Sequence, residues 1–404
     1  MRIVRRILKG AAILLLLGVV GVVGLFGGLC LEHATAVTLP IPTGSFPVSR
    51  AIYTWADETS VDSLAPVPGT KRELIVWIWY PATTGQTTPA DYLPPAWVAA
   101  FEGTRGPLVS NFLTRDLSKV RAHSAREADV SGQERSYPVV VFRAGASAAV
   151  ANYTTLAEDL ASHGYVVVGL DAPYRTDVVV FPDGRVVRKT PENNPERCLG
   201  REASCADRLI AAWNADISFV LDQLARLNSA DATGKFTGLL DLKRVGLLGH
   251  SFGGATALQF CHDDARCTAG IDLDGAPLGS VVAEGVHQPF LFLLSDHSRE
   301  LDPESQKIRA NIQSIYDRLP ADGRQRLAIR GAHHFTFSDD GALLKSHLLR
   351  GILRFFGKLH LDGPRQLAVT TYCVRSFFDA YLKGAGGSQL KISSSLYPEI
   401  EILN

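Results

Sequence analysis

A tight turn between an apolar run and a helix-like run constrains this chain more than any other feature. The segment "RVGLLGHSFGGATALQF" (residues 244–260) sets Ser251 between Gly249 and Gly253, which matches the pattern G-x-S-x-G. A strand before the serine and a helix after it are the context that this pattern needs. Such a corner lifts the hydroxyl above a sheet, and a Cβ two positions before or after would clash. The pattern predicts that Ser251 is a nucleophile.

The sequence around this corner predicts the sheet that would carry it. Continuous apolar runs alternate with amphipathic helix patterns, and the runs are "YPVVVF", "YVVVGLD", "RVGLLG", "AGIDLD", "PFLFLLS" and "RLAIR". This alternation is typical of a parallel sheet covered by helices on both faces. Helices are also expected over about 341–356 and 373–383. The predicted fold class is α/β, with a mostly parallel sheet of the α/β-hydrolase type.

The N-terminus carries a different pattern. Four basic residues lie within "MRIVRRILKG", and no charge follows from Gly10 to Leu31. About 20 apolar residues span a bilayer, and basic residues stay on its cytoplasmic side. Residues 34–36 read Ala-Thr-Ala, which also suits a signal-peptide cleavage site. Residues 1–36 are therefore predicted to be a signal peptide or an N-terminal membrane anchor. The folded part is expected to be exported: periplasmic, secreted, or anchored and facing outward.

One catalytic domain is predicted over residues 37–404. Within it, residues 82–135 are polar, contain prolines and are only patchily apolar, so they are interpreted as a cap-like insertion outside the main sheet. Lys plus Arg and Asp plus Glu each number 41, which gives a formal net charge of zero. A nucleic-acid-binding domain is expected to carry a basic excess, so nucleic acid is excluded as a partner.

The cysteines fit an oxidising compartment. Cys198 with Cys205, and Cys261 with Cys267, form two close pairs in the sequence, whose alternatives are two short-loop disulfides or four unrelated thiols. Neither pair has C-x-x-C spacing, so a metal site is disfavoured.

A serine nucleophile needs a base, and the expected chain order on this fold is serine, acid, histidine. The segment "RLAIRGAHHFTFSDD" supplies His333 and His334 just after the last clear strand. We predict His334 as the base, with His333 as the alternative.

Two aspartates compete for the role of the acid. Asp274 ends the strand "GIDLD" and Asp296 ends the next strand, "PFLFLLSD". Both lie where loops gather at the carboxyl ends of strands, so the residues alone leave the choice open. Asp272, two positions before Asp274, is expected to lie outside the site.

These segments resemble the secreted (plasma-type) platelet-activating-factor acetylhydrolase family. The likeness rests on "GHSFGGATALQFCHDDARCTAGIDLDGAPLG", "PVVVFRAGASA", "LAEDLASHGYVVVGLD", "AIRGAHHFTFSD", "TGSFPVSRAIYTW" and "IVWIWYPA", and it covers most of residues 43–356. The resemblance implies a catalytic triad of Ser251, Asp274 and His334, and it favours Asp274 over Asp296.

The oxyanion hole is predicted to use backbone N–H groups of Phe252 and of Ala146 in "FRAGASA". The family usually reads "SHG" where this chain has residues 143–145, Arg-Ala-Gly. Arg143 stays open as a phosphate or carboxylate contact or as a solvated arginine at a strand end.

The predicted reaction is two-step acyl transfer from an ester, with no metal and no organic cofactor. The resemblance implies short-chain or acetylated phospholipid esters as substrates, near a membrane surface reached through the N-terminal segment. The alternatives are a general carboxylesterase, including polyester- or lactone-cleaving forms, and a catalytically inactive, membrane-tethered binding protein of the same fold. The sequence does not predict an oligomeric state.

Overall fold

The structure is a computed structural model. It describes residues 2–403 except 84, 86–87, 107–113, 199–202, 297–300, 345–349, 352–353, 357–360, 385–391 and 393–394.

A twelve-stranded mixed sheet forms the centre of the molecule. Its strands are β1 (Val37–Thr38), β2 (Val48–Val61), β3 (Lys71–Pro81), β4 (Pro89–Asp91), β5 (Val120–Arg126), β6 (Tyr137–Arg143), β7 (Val166–Asp171), β10 (Leu240–His250), β11 (Cys267–Leu273), β12 (Phe290–Leu294), β13 (Arg324–Ile329) and β14 (Ile400–Ile402). Strands β8 (Val178–Val180) and β9 (Val186–Arg188) pair separately.

The order across the sheet is β1-β5-β2-β3-β7-β6-β10-β11-β12-β13-β14, with β4 paired to β5. From β7 to β13 the neighbouring strands are parallel. Their carboxyl ends therefore meet along one edge of the sheet, which we call the catalytic edge. It is formed by the segments that directly follow β6, β7, β10, β11, β12 and β13. The predicted α/β fold is confirmed.

Helices cover both faces of the sheet. The described α-helices of the domain are α2 (Pro95–Arg105), α3 (Thr154–Ser162), α4 (Ala203–Ser229), α5 (Phe252–Asp263), α6 (Val281–Glu284), α7 (Pro303–Tyr316), α8 (Asp340–Leu343) and α9 (Gly363–Leu382); α1 (Arg2–Ala34) precedes them and does not cover the sheet. Alternate residues of one strand enter different cores: Val140 and Phe142 of β6 face one, and Val139 and Val141 face the other. This alternation explains why the central strands are apolar throughout.

Part of the segment 82–135 was wrongly assigned to a cap. Strand β5 pairs in parallel with β2 through Ser49 and Ala125, and β4 pairs with β5. These stretches therefore extend the sheet. The reason is that β4 and β5 lie near one end of the sheet and most of their side chains are at least partly exposed, so they contain few apolar residues and their sequence looks like a loop. The segment also contains the helix α2, whose Trp97 contacts Trp77 edge to face at 5.3 Å.

The N-terminal apolar segment forms one continuous helix. Residues Ile3–Ala34 are long and apolar enough to cross a membrane, and none of that stretch is buried against the rest of the protein. The end of the helix contacts the domain, where Glu32 pairs with Arg115 at 3.3 Å and His33 Nδ1 bonds to the carbonyl of Thr114 at 2.7 Å.

Both cysteine pairs are disulfide-bonded, Cys198 to Cys205 and Cys261 to Cys267. The second bond joins α5 to β11, the two elements that follow Ser251. The helix expected over 341–356 falls partly outside the described residues, and its described beginning is α8. The last helix, α9, begins earlier than the sequence predicted, at Gly363.

Candidate active site

Ser251 lies on a strained turn between β10 and α5. Its φ of 56° and ψ of −124° are rare for a residue with a side chain. The turn has no room for a side chain at either flanking glycine. A Cβ on Gly249 would lie 2.0 Å from the carbonyl oxygen of Gly253, and a Cβ on Gly253 would lie 2.4 Å from the carbonyl oxygen of Ala144. The serine itself remains partly exposed. The turn therefore presents its side chain at the catalytic edge.

Asp274 and His334 meet beside this turn. The Nδ1 atom of His334 lies 2.7 Å from Asp274 Oδ2, although the residues are far apart in sequence. Asp274 follows β11 with a φ of 56°, and its carboxylate also accepts bonds from the N–H and the hydroxyl of Ser295, at 2.8 and 2.7 Å. The strand end, the positive φ and Ser295 thus fix the direction of the carboxylate.

The electrostatics suit an ionised acid next to a base. Burial alone would raise the pKa of Asp274, but the hydrogen bonds from His334 and Ser295 outweigh it and hold that pKa below its usual value. The His334 side chain is 24% exposed whereas that of Asp274 is 5% exposed. The histidine can therefore exchange protons with a bound ester while its partner stays charged and enclosed.

Two contacts place Ser251 next to Asp274 and His334: a backbone hydrogen bond of Ser251 and the side chain of the preceding residue, His250. The N–H of Ser251 donates to the carbonyl of Leu273 at 2.9 Å, and the ring of His250 lies 4.6 Å from that of His334. Among the described residues the Ser251 hydroxyl forms no hydrogen bond, including none to His334. Hydrogen bonds between a nucleophile and its base are often long in free enzymes and tighten when substrate binds.

The two alternative residues occupy other positions. One carboxylate oxygen of Asp296 accepts the N–H of Gly331 at 2.7 Å, which ties β12 to the start of the loop that carries the histidines. His333 is exposed, and its Nδ1 accepts the N–H of Phe335 at 3.4 Å at the start of a short 3₁₀ turn. The structure therefore brings Asp274 and His334 together, and it gives Asp296 and His333 contacts with the loop backbone.

The predicted oxyanion donors flank the serine. Phe252 is the first residue of α5, and first-turn N–H groups of a helix have no acceptor within it. On the other side, a Cβ on Gly145 would lie 3.4 Å from the Ser251 Cβ, so the loop that leads into Ala146 passes directly beside the nucleophile. Two backbone donors can therefore converge on one oxygen near Ser251.

Arg143 is neither a surface arginine nor a contact at the mouth of the site. Its side chain is almost fully buried, stacks 4.1 Å above the ring of Trp213 and lies 3.8 Å from Asp216. One of its N–H groups donates to the carbonyl of Leu170 at 3.2 Å. Both interpretations of Arg143 were wrong, because the end of a central strand is covered by α4. The guanidinium thereby connects the end of β6 to β7 and to α4.

Asp272 lies beneath the turn. Its Oδ1 accepts the N–H of Gly275 at 2.8 Å, while its buried Oδ2 has no partner among the described residues. Burial and, second, the charge of Asp274 raise the pKa of Asp272 well above its usual value. The surroundings therefore favour the neutral form of this carboxyl. A Cβ on Gly254 would lie 1.8 Å from its Oδ1, which accounts for the third glycine of the turn.

Sequence reasoning missed two residues at this edge, Tyr153 and His250. The hydroxyl of Tyr153 lies 2.7 Å from His250 Nδ1, and both side chains are buried. The position of His250 directly before the nucleophile was the available signal. The described residues contain no group of three metal-ligating side chains that could hold a metal ion.

Comparison with known proteins identifies a family. Residues 37–176 and 196–383 match the model of platelet-activating factor acetylhydrolase, isoform II. A probable 1-alkyl-2-acetylglycerophosphocholine esterase of Arthroderma benhamiae is 27% identical over 390 residues, which cover 91% of this chain and 94% of that protein. The platelet-activating factor acetylhydrolase of Cavia porcellus is 26% identical over 220 residues, or 50% of this chain and 48% of that protein.

A solved structure supports the same assignment of the fold. The ferulic acid esterase from Streptomyces cinnamoneus superposes with a TM-score of 0.74 and 27% sequence identity. The match covers 92% of this chain and all of that one. The architecture is thus shared with an esterase over nearly the whole length.

Proposed function

This chain belongs to the platelet-activating factor acetylhydrolase isoform II family and is a carboxylic-ester hydrolase, and we propose that Ser251, His334 and Asp274 are its catalytic triad. The observation that carries the proposal is the 2.7 Å hydrogen bond from His334 to Asp274, beside the strained turn of Ser251. His334 removes the proton from the Ser251 hydroxyl as the oxygen attacks the ester carbonyl. Asp274 keeps the proton on Nδ1 and stabilises the imidazolium that forms.

The negative oxygen of the tetrahedral intermediate then lies against the N–H groups of Ala146 and Phe252. His334 returns its proton to the leaving alcohol, and an acyl ester remains on Ser251. Water, deprotonated by the same histidine, attacks this ester and releases the acid. Every step uses proton transfer and fixed backbone donors, which together account for rate accelerations of many orders of magnitude in acyl transfer.

We propose acetylated phospholipids, or lipids with similarly short acyl chains, as the substrate class. The names of the two family relatives support this choice, and so does the apolar helix α1, which would hold the domain at a bilayer with the catalytic domain on the outer side. Protease treatment of cells stripped to a sealed cytoplasmic membrane tests the location: the domain should be digested from outside. Resistance to digestion until the cells are lysed would contradict it.

A general carboxylesterase is the second candidate, and the similarity to a ferulic acid esterase favours it. An ester panel separates the two: 1-alkyl-2-acetyl-glycerophosphocholine, its long-chain 2-acyl analogue, methyl ferulate and p-nitrophenyl acetate. We expect kcat/KM for the acetylated phospholipid to exceed that for the long-chain analogue and for methyl ferulate. The reverse order would favour the general esterase.

Covalent labelling tests the triad itself. A fluorophosphonate probe should modify the wild-type protein and leave Ser251→Ala unlabelled. A folded wild-type protein that takes no label would instead indicate the inactive binding protein.

A further inference from the structure

The residue directly before the nucleophile links the two sides of the site. His250 is only 4% exposed. Its Nε2 lies 3.0 Å from the backbone carbonyl of His334, and its Nδ1 lies 2.7 Å from the hydroxyl of Tyr153. The Tyr153 hydroxyl in turn lies 3.3 Å from the N–H of Gly145. Tyr153 and His250 therefore form a chain of hydrogen bonds, which we call the neutral relay.

The partners fix where every proton lies. A carbonyl only accepts hydrogen bonds, so His250 Nε2 must carry the proton that it shares with His334. Burial and, second, the neighbouring His334 lower the pKa of His250 to about 3, so its ring is neutral and Nδ1 is an acceptor. Tyr153 must then donate to Nδ1, and the N–H of Gly145 donates to the Tyr153 oxygen. Each group in the relay has one defined direction.

The relay ends at the two loops that must cooperate around Ser251. One end is Gly145, the residue before the proposed oxyanion donor Ala146, and we call residues 144–146 the oxyanion loop. The other end is the backbone of His334, the proposed base. The ring of His250 also contacts the ring of His334 at 4.6 Å, so a charge on His250 would oppose the imidazolium that forms during catalysis. A neutral linker avoids that repulsion.

Resting on the triad proposed above, we infer that Tyr153 and His250 are positioning residues that hold the oxyanion loop and the base at a fixed separation, with His250 as the neutral Nε2–H tautomer. Neither side chain touches substrate. Both act on kcat, since the geometry that they set is required mainly in the transition state.

The test compares Tyr153→Phe with a matched control, Tyr137→Phe. Tyr137 is also fully buried, and its hydroxyl likewise donates once, to Ser131, and accepts once, from Glu134. Tyr137 packs in the hydrophobic core on the other face of the sheet from Tyr153. It also begins β6, whereas Ser251 follows the carboxyl end of the parallel strand β10. With p-nitrophenyl acetate we expect Tyr153→Phe to lower kcat about 10- to 100-fold with KM within about twofold. Tyr137→Phe should change kcat less than about twofold, even where both variants lose similar thermal stability.

Two substitutions of His250 test the two hydrogen bonds of its ring separately. His250→Asn keeps an acceptor near Tyr153 but loses the donor to His334, whereas His250→Gln can restore a donor near the Nε2 position. We expect kcat to fall in His250→Asn and to recover partly in His250→Gln. Tyr153→Phe combined with His250→Asn should be little worse than the poorer single variant, because one broken link already uncouples the loops.

Several results would overturn the inference. Equal kcat losses in Tyr153→Phe and Tyr137→Phe, additive losses in the double variant, or identical Asn and Gln variants would each indicate a merely structural contribution. If Tyr153→Phe does not fold, the two His250 variants decide. Failure of the triad gives a different result, since the wild-type protein would then take no fluorophosphonate label; a labelled wild type with an unaffected Tyr153→Phe contradicts only the relay.

Discussion

Two histidines whose rings are 4.6 Å apart occupy opposite kinds of surroundings at the catalytic edge. His334 is partly exposed and bonded to an ionised carboxylate, whereas His250 is enclosed between a tyrosine hydroxyl and a backbone carbonyl. We call Asp274 and His334 the charged pair, to set it against the neutral relay of Tyr153 and His250. The same side chain can gain a proton in the first setting and is prevented from doing so in the second.

The comparison shows that the hydrogen-bond partners of a histidine, rather than the residue type alone, determine whether its charged or its neutral ring is stabilised. A carboxylate on Nδ1 stabilises the imidazolium, so His334 suits a base that becomes charged during turnover. A hydroxyl and a carbonyl stabilise only the neutral ring. The aspartates repeat this contrast two residues apart, because Asp274 has two donor residues and a low pKa, while Asp272 has one donor and a raised pKa.

The sharpest way to break the comparison is to remove the base. His334→Ala should lower kcat by about 10⁵- to 10⁶-fold, as expected for loss of the base from a serine triad. The adjacent and exposed His333 provides the control, and His333→Ala should keep kcat within about threefold of the wild type. Steady-state hydrolysis of p-nitrophenyl acetate measures both. The charged pair would be misassigned if His333→Ala were the inactive variant.

The acid gives the next largest effect. Asp274→Asn should reduce kcat by about 10⁴-fold, because an amide facing Nδ1 favours the wrong tautomer of His334. Asp296→Asn should lower kcat less than about tenfold, since its carboxylate accepts the backbone N–H of Gly331 in the loop and His334 is bonded to Asp274 instead. The same assay measures both variants. A larger loss in Asp296→Asn would transfer the role of the acid to that residue.

Because of the buried His250 ring, the stability of the folded protein should fall as the pH is lowered. The folded pKa of His250, about 3, lies below its ordinary value of 6.5. Between these values the unfolded chain binds the proton and the folded protein does not, so stability falls as pH falls. His250→Asn lacks this loss. The amount by which the Tm of His250→Asn lies below that of the wild type should therefore be smaller at pH 4 than at pH 8, by about 3 °C or more.

Differential scanning fluorimetry across this pH range measures that deficit. The exposed His287 supplies the control, and His287→Asn should show a deficit that does not change with pH in this way. A constant deficit in His250→Asn would mean that the buried ring accepts a proton in the folded protein.

Asp272 should give the smallest catalytic effect. Asp272→Asn resembles the protonated carboxyl, so kcat should stay within about threefold of the wild type. The raised pKa of Asp272 gives the opposite pH dependence to His250: the folded protein retains a proton that the unfolded chain releases, so wild-type stability falls as pH rises above about 4. The Tm of Asp272→Asn should therefore rise relative to the wild type between pH 4 and pH 8. No such trend is expected for the exposed Asp317→Asn, and its absence in Asp272→Asn would indicate an ionised Asp272.

The sequence predicted the parts of the fold that repeat or that depend on neighbours in the chain. The apolar runs of β6, β7 and β10–β13 were identified in the right order. Strand β5 was missed because most of its side chains are partly exposed and it buries little apolar surface. Arg143 was misinterpreted because nothing local indicates that α4 covers it.

The sequence by itself determined the turn at Ser251. Gly249 is required by the carbonyl oxygen of Gly253, four residues away in the chain, whereas Gly253 is required by the carbonyl oxygen of Ala144, in the segment after β6. The G-x-S-x-G pattern nevertheless identifies the turn, because the serine and both glycines lie within five consecutive residues. Only the tertiary structure decided which aspartate and which histidine meet, and which histidine stays neutral. Those outcomes depend on burial and on hydrogen bonds between residues remote in sequence, such as His334 with Asp274 and Tyr153 with His250. No local pattern encodes such distances.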